Sequence, residues 1–148
     1  MKSYRSLLVI PLMILLGCNS YSLDKPFQAE NGLWGYKDKK GKVRIEAKYD
    51  DANIFREGLA GVELDGKWGF IDKTGKVVIL LKYDDVWFFS EGLAKVKLDG
   101  KWGFINTKDE VVVPLKYDHA EYFREGLAEV KLGDDETGKW GFIDTTGK

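Results

Sequence analysis

The sequence predicts an all-β fold: a tandem array of about three to four three-stranded antiparallel β-meanders, stacked in a solenoid-like or open propeller-like manner. Three observations predict it. Trp34, Trp68, Trp102 and Trp140 are each followed by a glycine (Gly35, Gly69, Gly103 and Gly141) at spacings of 34, 34 and 38 residues, and self-similarity at a fixed period of this size marks a repeat architecture. Between Leu93 and Leu98, Ala94, Val96 and Leu98 alternate with Lys95 and Lys97, the period-two pattern of a strand with one buried face. Asp99-Gly100 then separates that run from Lys101-Trp102-Gly103-Phe104-Ile105. An Asp-Gly pair between two such runs favours a type I′ hairpin, whose two turn residues both need positive φ.

In chain order, the first element is a secretory signal over residues 1–17. Lys2 and Arg5 supply its positive end, and Leu7 to Leu16 is an apolar run broken only by Pro11. That run is too short to span a hydrocarbon layer of roughly 30 Å, which takes about 20 residues. Leu15-Leu16-Gly17-Cys18 resembles a bacterial lipobox. The resemblance implies that Cys18 carries the lipid and becomes the first residue of the mature chain, with residues 18–26 as lipidated cysteine and short tether. Asn19, where an Asp would signal retention, resembles an outer-membrane address. The expectation is a protein of the cell envelope that touches the membrane through its lipid anchor alone, because acyl chains on one cysteine hold a small domain without any spanning segment. Cys18 is the single cysteine, so neither an intrachain disulfide nor a thiolate metal cluster can form.

The repeat domain is expected over residues 27–148. In the unit that starts at Trp68, Asp72-Lys73-Thr74-Gly75 reads as the turn after the tryptophan strand, and Val77 to Ile79 as the third strand. Lys82 to Gly92 carries the chain to the next meander, with Tyr83 and Phe89 as apolar pins. A lone meander cannot bury both faces of its aromatic strands, so neighbours must stack. The four tryptophans recur at one register and are read as structural, not as a cofactor box. The glycine after each is read sterically, since without a Cβ it lets a ring or backbone approach closely. Four extra residues in the last spacing fall within Gly133 to Gly138, a turn, where insertion costs least. Thr145 to Lys148 stand where a third strand would begin, so the copy at Trp140 is read as a truncated cap or a fragment. An unpaired edge there would invite association.

Lys67 to Asp72 and Lys139 to Asp144 both read Lys-Trp-Gly-Phe-Ile-Asp, and Lys101 to Asn106 differs only at its last residue. The first copy, Leu33 to Asp38, lacks the lysine and has Tyr36-Lys37 in place of Phe-Ile. With Lys-Tyr-Asp recurring at 48–50, 82–84 and 116–118, and Glu-Gly-Leu-Ala at 57–60, 91–94 and 125–128, the chain resembles the WG repeat family of bacterial proteins. That resemblance implies a β-rich module common on secreted or envelope proteins, and it implies no shared activity.

Composition narrows the function classes. The chain is 44% hydrophobic and 32% charged, a balance that suits a folded core. Removing Lys2 and Arg5 with the signal takes 23 basic residues to 21, against 24 acidic ones of interspersed position. Nucleic acid is excluded as a partner on that ground, because a binder needs a basic face. No catalytic residue is assigned. His119 is the only histidine, which rules out a poly-His metal site, and it reads as a surface turn residue. No cofactor fingerprint is present. Asp50, Asp84 and Asp118, with Glu57, Glu91 and Glu125, recur in every unit, whereas a catalytic pair should be singular; turn capping and salt pairing with Lys48, Lys82 and Lys116 are expected instead. Asp134-Asp135-Glu136 reads as a solvated acidic loop without the ligand spacing of a calcium loop.

Positions that differ between units are better candidates for recognition. Asn53, Trp87 and Glu121 are equivalent, as are Ile54, Phe88 and Tyr122. If this segment is exposed, Trp87, Phe88 and Tyr122 form an aromatic patch able to stack on sugar rings or anchor a protein; if it is the junction between units, they are core. The expected function is an envelope-anchored binding module for a protein or a cell-wall or host glycan, without catalysis. The rivals are an envelope polysaccharide hydrolase using a carboxylate pair and a purely structural spacer.

Overall fold

The computed structural model describes residues 25–148, and every regular element among them is a strand. The expected signal, Cys18 and most of the tether lie outside the described residues. The strands form four separate sheets. Pro26–Gln28 (β1), Trp34–Lys37 (β2) and Val43–Tyr49 (β3) make the first; Asp51–Ala52 (β4), Leu59–Leu64 (β5), Lys67–Asp72 (β6) and Val77–Tyr83 (β7) the second. Asp85–Ser90 (β8), Leu93–Leu98 (β9), Lys101–Asn106 (β10) and Val111–Tyr117 (β11) make the third; His119–Ala120 (β12), Leu127–Leu132 (β13) and Lys139–Asp144 (β14) the fourth. All pairings are antiparallel between strands adjacent in sequence, so each sheet is a meander. The domain begins one residue earlier than expected, because Pro26 lies opposite Tyr36 at the start of β1.

The three expected strands of a unit are present as β5-β6-β7 and β9-β10-β11, and the connecting segment adds a fourth. Tyr83 closes one sheet and Asp85 opens the next, so the single residue Asp84 carries the chain between them. Asp65 and Gly66 have φ of 53° and 74°, and Asp99 and Gly100 have 50° and 77°, as the type I′ hairpin requires. After the tryptophan strand, the Asp72 amide donates to the Lys76 carbonyl at 2.9 Å, and Asp72 Oδ1 accepts from the amides of Thr74 (2.8 Å) and Lys76 (3.1 Å). Asn106 does the same through its side-chain oxygen, on the amides of Lys108 (2.9 Å) and Glu110 (3.0 Å). The motif therefore tolerates asparagine there, since the turn needs an acceptor and not a charge.

The glycines that follow Trp34, Trp68 and Trp102 are sterically required. A Cβ on Gly35, Gly69 or Gly103 would stand 2.5, 2.4 or 2.6 Å from the carbonyl oxygen of Ile45, Ile79 or Val113 on the third strand. The tryptophan strand meets that third strand through shifts of register on both sides of the phenylalanine or tyrosine, and this irregular pairing brings the backbones so close. Gly141 has nothing within 4 Å of the same position, because no third strand follows β14 among the described residues.

The core lies between consecutive sheets and repeats itself. The front of the first sheet (Tyr36, Ile45, Tyr49) packs on the rear of the second (Ala52, Phe55, Ala60, Val62, Ile71). Phe70, Ile79 and Tyr83 meet Val86, Phe89, Ala94, Val96 and Ile105 in the same way, and Phe104, Val113 and Tyr117 meet Ala120, Phe123, Ala128, Val130 and Ile143. Each junction holds one edge-to-face ring pair: Tyr36–Phe55, Phe70–Phe89 and Phe104–Phe123 have centroids 4.7, 4.8 and 4.7 Å apart at 63°. Such pairs contribute about 0.5–1.5 kcal/mol beyond area burial. Trp34, Trp68 and Trp102 flank these clusters and are half-buried. Trp140 departs from the expected packed place: it is 52% exposed, because the front of the fourth sheet is uncovered among the described residues.

Candidate binding surface

The outer segment of each unit, which the sequence left between surface and core, proves to be both in alternation. Val86 and Phe89 are buried at 2% and 1% exposure, and between them the pairing of β8 with β9 shifts register. A strict period of two cannot turn residues three apart to one side, so the bulge takes up the difference and leaves Trp87 and Phe88 together on the outside. Trp87 is 42% exposed and Phe88 and Tyr122 are half-buried. Their rings form a continuous row: Trp87 stacks on Phe88 with centroids 5.8 Å apart at 21°, and Phe88 meets Tyr122 of the next unit at 5.2 Å.

Cations frame the row. Arg56 lies 5.5 Å from the centre of the Phe88 ring and Arg124 lies 5.4 Å from that of Tyr122, to whose hydroxyl it also donates. Lys95 enters from below, its ammonium 5.0 Å from Trp87 and 4.5 Å from Trp102, donating to the Ala120 carbonyl at 2.7 Å. Burial pulls its pKa below the ordinary lysine value, against the opposing pull of Glu121 and Asp85. The lysine thus ties the third unit to the fourth and fixes the floor of the row.

The recurring carboxylates join one unit to the next. Asp84 Oδ2 accepts from the Asp99 amide at 2.8 Å in the following hairpin, while Oδ1 accepts from Lys67 of the preceding one at 2.8 Å. Asp118 does the same with the Gly133 amide (2.7 Å) and Lys101. The lysine bond first, and the turn amide with it, hold both carboxyls below the usual carboxylate range. The turn capping expected of these residues is present, but the salt partners are not Lys48, Lys82 and Lys116. Those lysines lie along Tyr49, Tyr83 and Tyr117, their ammonium groups 5.3, 5.1 and 5.3 Å from the ring centres. Lys82 reaches across to Asp109, which also accepts the Tyr83 hydroxyl at 2.6 Å. The switch between sheets at Asp84 turns its carboxylate away from its own strand, and so decides the pairing. Glu57 accepts from the Gly92 amide at 2.9 Å and Glu91 from the Gly126 amide at 2.8 Å, a second line of bonds between units.

The comparison with known families bears on this geometry directly. The WG containing repeat matches residues 34–68, 68–102 and 102–134, more than half of the chain. The chain belongs to the WG containing repeat family. Among curated proteins no relative matches. In this WG repeat protein the motif now has physical content. Its lysine binds the carboxylate after the third strand, its glycine admits the third strand, its aromatic residue fills the junction ahead and its isoleucine the junction behind, and its aspartate closes the turn. Leu33 offers no cation at the first of these places, which is where the first copy is atypical.

His119, expected as a surface turn residue, instead lies half-buried in the short edge strand β12, its ring nitrogen 2.9 Å from Glu121 and its ring edge-on to Trp140 at 5.3 Å. Asp134 caps its own loop, accepting from the amides of Glu136 (3.0 Å) and Thr137 (2.7 Å). Among the described residues no group of three or more acidic, histidine or cysteine side chains is placed to hold a metal ion, and no helix is long and apolar enough to cross a membrane. Glu63 was not singled out, yet burial and then Asp51, Asp50 and Asp85 push its carboxyl up. The bulge, Lys95 and the Glu-to-Gly bonds were missed as well. Recurrence of Glu-Gly was visible, but which amide each carboxylate reaches depends on how sheets stack.

Proposed function

We propose that this WG repeat protein is an envelope-anchored binding module, held to the membrane by lipid on Cys18, which offers the row of Trp87, Phe88 and Tyr122 to a protein or glycan partner and performs no catalysis. One observation carries the reading: three neighbouring aromatic rings from two successive units share the outer surface, framed by Arg56 and Arg124. Large rings left outside a packed core are the usual anchors of recognition, either stacking on a sugar face or filling a partner's pocket. The recurring carboxylates support the absence of catalysis. Asp84, Asp118, Glu57 and Glu91 already hold amides and lysines of neighbouring units; Glu63, whose carboxyl is raised by burial and by Asp51, Asp50 and Asp85, is not among them, so Glu63→Gln is the control for any turnover.

The test is binding of the full chain to a panel of envelope and host glycans, together with capture of partners from envelope extract. Saturable binding that Trp87→Ala weakens at least about tenfold, with an unchanged thermal midpoint, is the expected result. Turnover of a glycan would replace the reading with that of a hydrolase, and silence on both arms would leave a spacer.

A further inference from the structure

One corner of the second sheet lacks two cations that its neighbours possess. In the third sheet the outer strand opens with Asp85 opposite Lys97, and in the fourth with His119 opposite Lys131. In the second sheet Asp51 lies opposite Glu63, a carboxylate against a carboxylate. The residue before each outer strand is Asp50, Asp84 or Asp118. Lys67 and Lys101 hold the latter two, whereas Leu33 stands at the place of the lysine that would hold Asp50. Asp50 keeps the turn bond, accepting from the Asp65 amide at 2.8 Å as Asp84 accepts from that of Asp99.

Among the described residues, the charges that act on Glu63 share one sign. Burial first, then Asp51 in β4, Asp50 before it and Asp85 at the head of β8 push its carboxyl above the ordinary value of 4.5. Its neighbour on the other side is Trp68, which is uncharged. Lys67, next in that hairpin, is held by Asp84, and Lys97 of the third sheet faces Asp85. From the first sheet, Tyr36 donates its hydroxyl to the Asn53 carbonyl at 2.7 Å, and burial keeps that hydroxyl protonated. Like charges directly opposite across two strands destabilise their pairing. The outer strands follow this rule: with Asp85 opposite Lys97 the strand runs six residues, whereas with Asp51 opposite Glu63, or His119 opposite Lys131, it runs two. The Asp50 amide donates to the Glu63 carbonyl at 2.9 Å and the Asn53 amide to the Gly61 carbonyl at 2.8 Å, so backbone bonds bracket the opposed carboxylates.

We propose that Asp51 and Glu63 form an acid-closed latch: a proton taken from solvent lets Glu63 donate to Asp51 and seats β4 firmly on β5, and its loss loosens the segment from Asp50 to Asn53. A folded value above the unfolded one means that this contribution is complete below the ordinary carboxyl value and is lost as pH rises through the higher folded value. The sign is opposite to that of Asp84 and Asp118, whose contribution is lost in acid. Arg56 follows on the same segment and borders the aromatic row, so acid firms that border. That consequence rests on the proposed binding function, whereas the latch itself does not.

The test is amide hydrogen exchange of the full chain, read residue by residue by NMR between about pH 7 and about pH 4.5 and expressed as protection over the intrinsic rate at each pH. The expected result is a rise of about two- to fivefold in protection of the Asp50 and Asn53 amides on acidification. The Asp84 amide, which makes the equivalent bond to the Lys97 carbonyl in the third sheet, stays unchanged. Glu63→Gln removes the rise. Glu63→Lys, which copies the pairing of the third sheet, gives high protection at both ends of the range. Protection at Asp50 and Asn53 that is flat with pH, that rises equally at Asp84, or that still rises in Glu63→Gln would overturn the proposal.

Discussion

Adding one methyl group at Gly103 tests the physical reading of the repeat most sharply. A Cβ there would lie 2.6 Å from the Val113 carbonyl oxygen and 2.8 Å from the backbone of Leu115, where ordinary contact begins at 3.4 Å. Every one of those neighbours is main chain, so no side chain can swing aside; β10 and β11 must part, and the front of the third sheet opens with them. Overpacking of this kind costs about 1–3 kcal/mol, and the absence of any flexible neighbour places Gly103→Ala near about 3 kcal/mol. Gly141→Ala is the control within the same chain. Nothing lies within 4 Å of its Cβ position, so only the reduced freedom of the unfolded chain acts, and the variant gains about 0.5 kcal/mol. Urea denaturation followed by tryptophan fluorescence reads both, with the slope checked for constancy, since a repeat array can lose cooperativity. A gap of about 3 kcal/mol between the two variants is expected. Equal midpoints would refute the argument that the motif glycine exists to admit the third strand.

Three further outcomes follow from the same structure. Phe104→Ala, at a fully buried ring, costs about 3–5 kcal/mol, whereas Phe142→Ala at the equivalent exposed ring changes stability by less than about 0.5 kcal/mol; thermal melts of the two decide whether the last front face is truly open. The carboxyls of Asp84 and Asp118 are depressed by Lys67 and Lys101 and by turn amides. A folded value below the unfolded one means that their contribution is complete above the unfolded carboxyl range near about 3.9 and is lost as pH falls through the lower folded values. The double variant Asp84→Asn, Asp118→Asn should therefore show a shallower loss of stability below about pH 4 than the parent, and an unchanged acid titration would refute the assignment. Cys18→Ser should move the protein from the membrane to the soluble fraction on cell fractionation; retention in the membrane would remove the lipid anchor from the functional reading.

The fold was legible because its signals are local and repeated. Period-two alternation at Leu93 to Leu98, Asp-Gly at both turn positions of a I′ hairpin, and a tryptophan-glycine pair at a constant spacing each state a backbone conformation without reference to distant residues. The stacking of units was legible for the same reason, since a meander of this size cannot close its own aromatic face. The candidate surface was half legible. Positions 87, 88 and 122 stood out by varying between units, but the side they face depends on a bulge between Val86 and Phe89, and a bulge appears only when a strand is held against its partner.

By itself the amino-acid sequence determined the all-β class, the period of the repeat and the hairpin turns, because each depends on contacts within one unit or between identical neighbours. Only the tertiary structure decided which carboxylate meets which lysine, that the connecting segment contributes a fourth strand, and that Trp87 and Phe88 face outward while Trp140 and Phe142 are left uncovered. These depend on how far one sheet is displaced and turned relative to the next. Residues far apart in the chain jointly set that offset, and no single repeat encodes it.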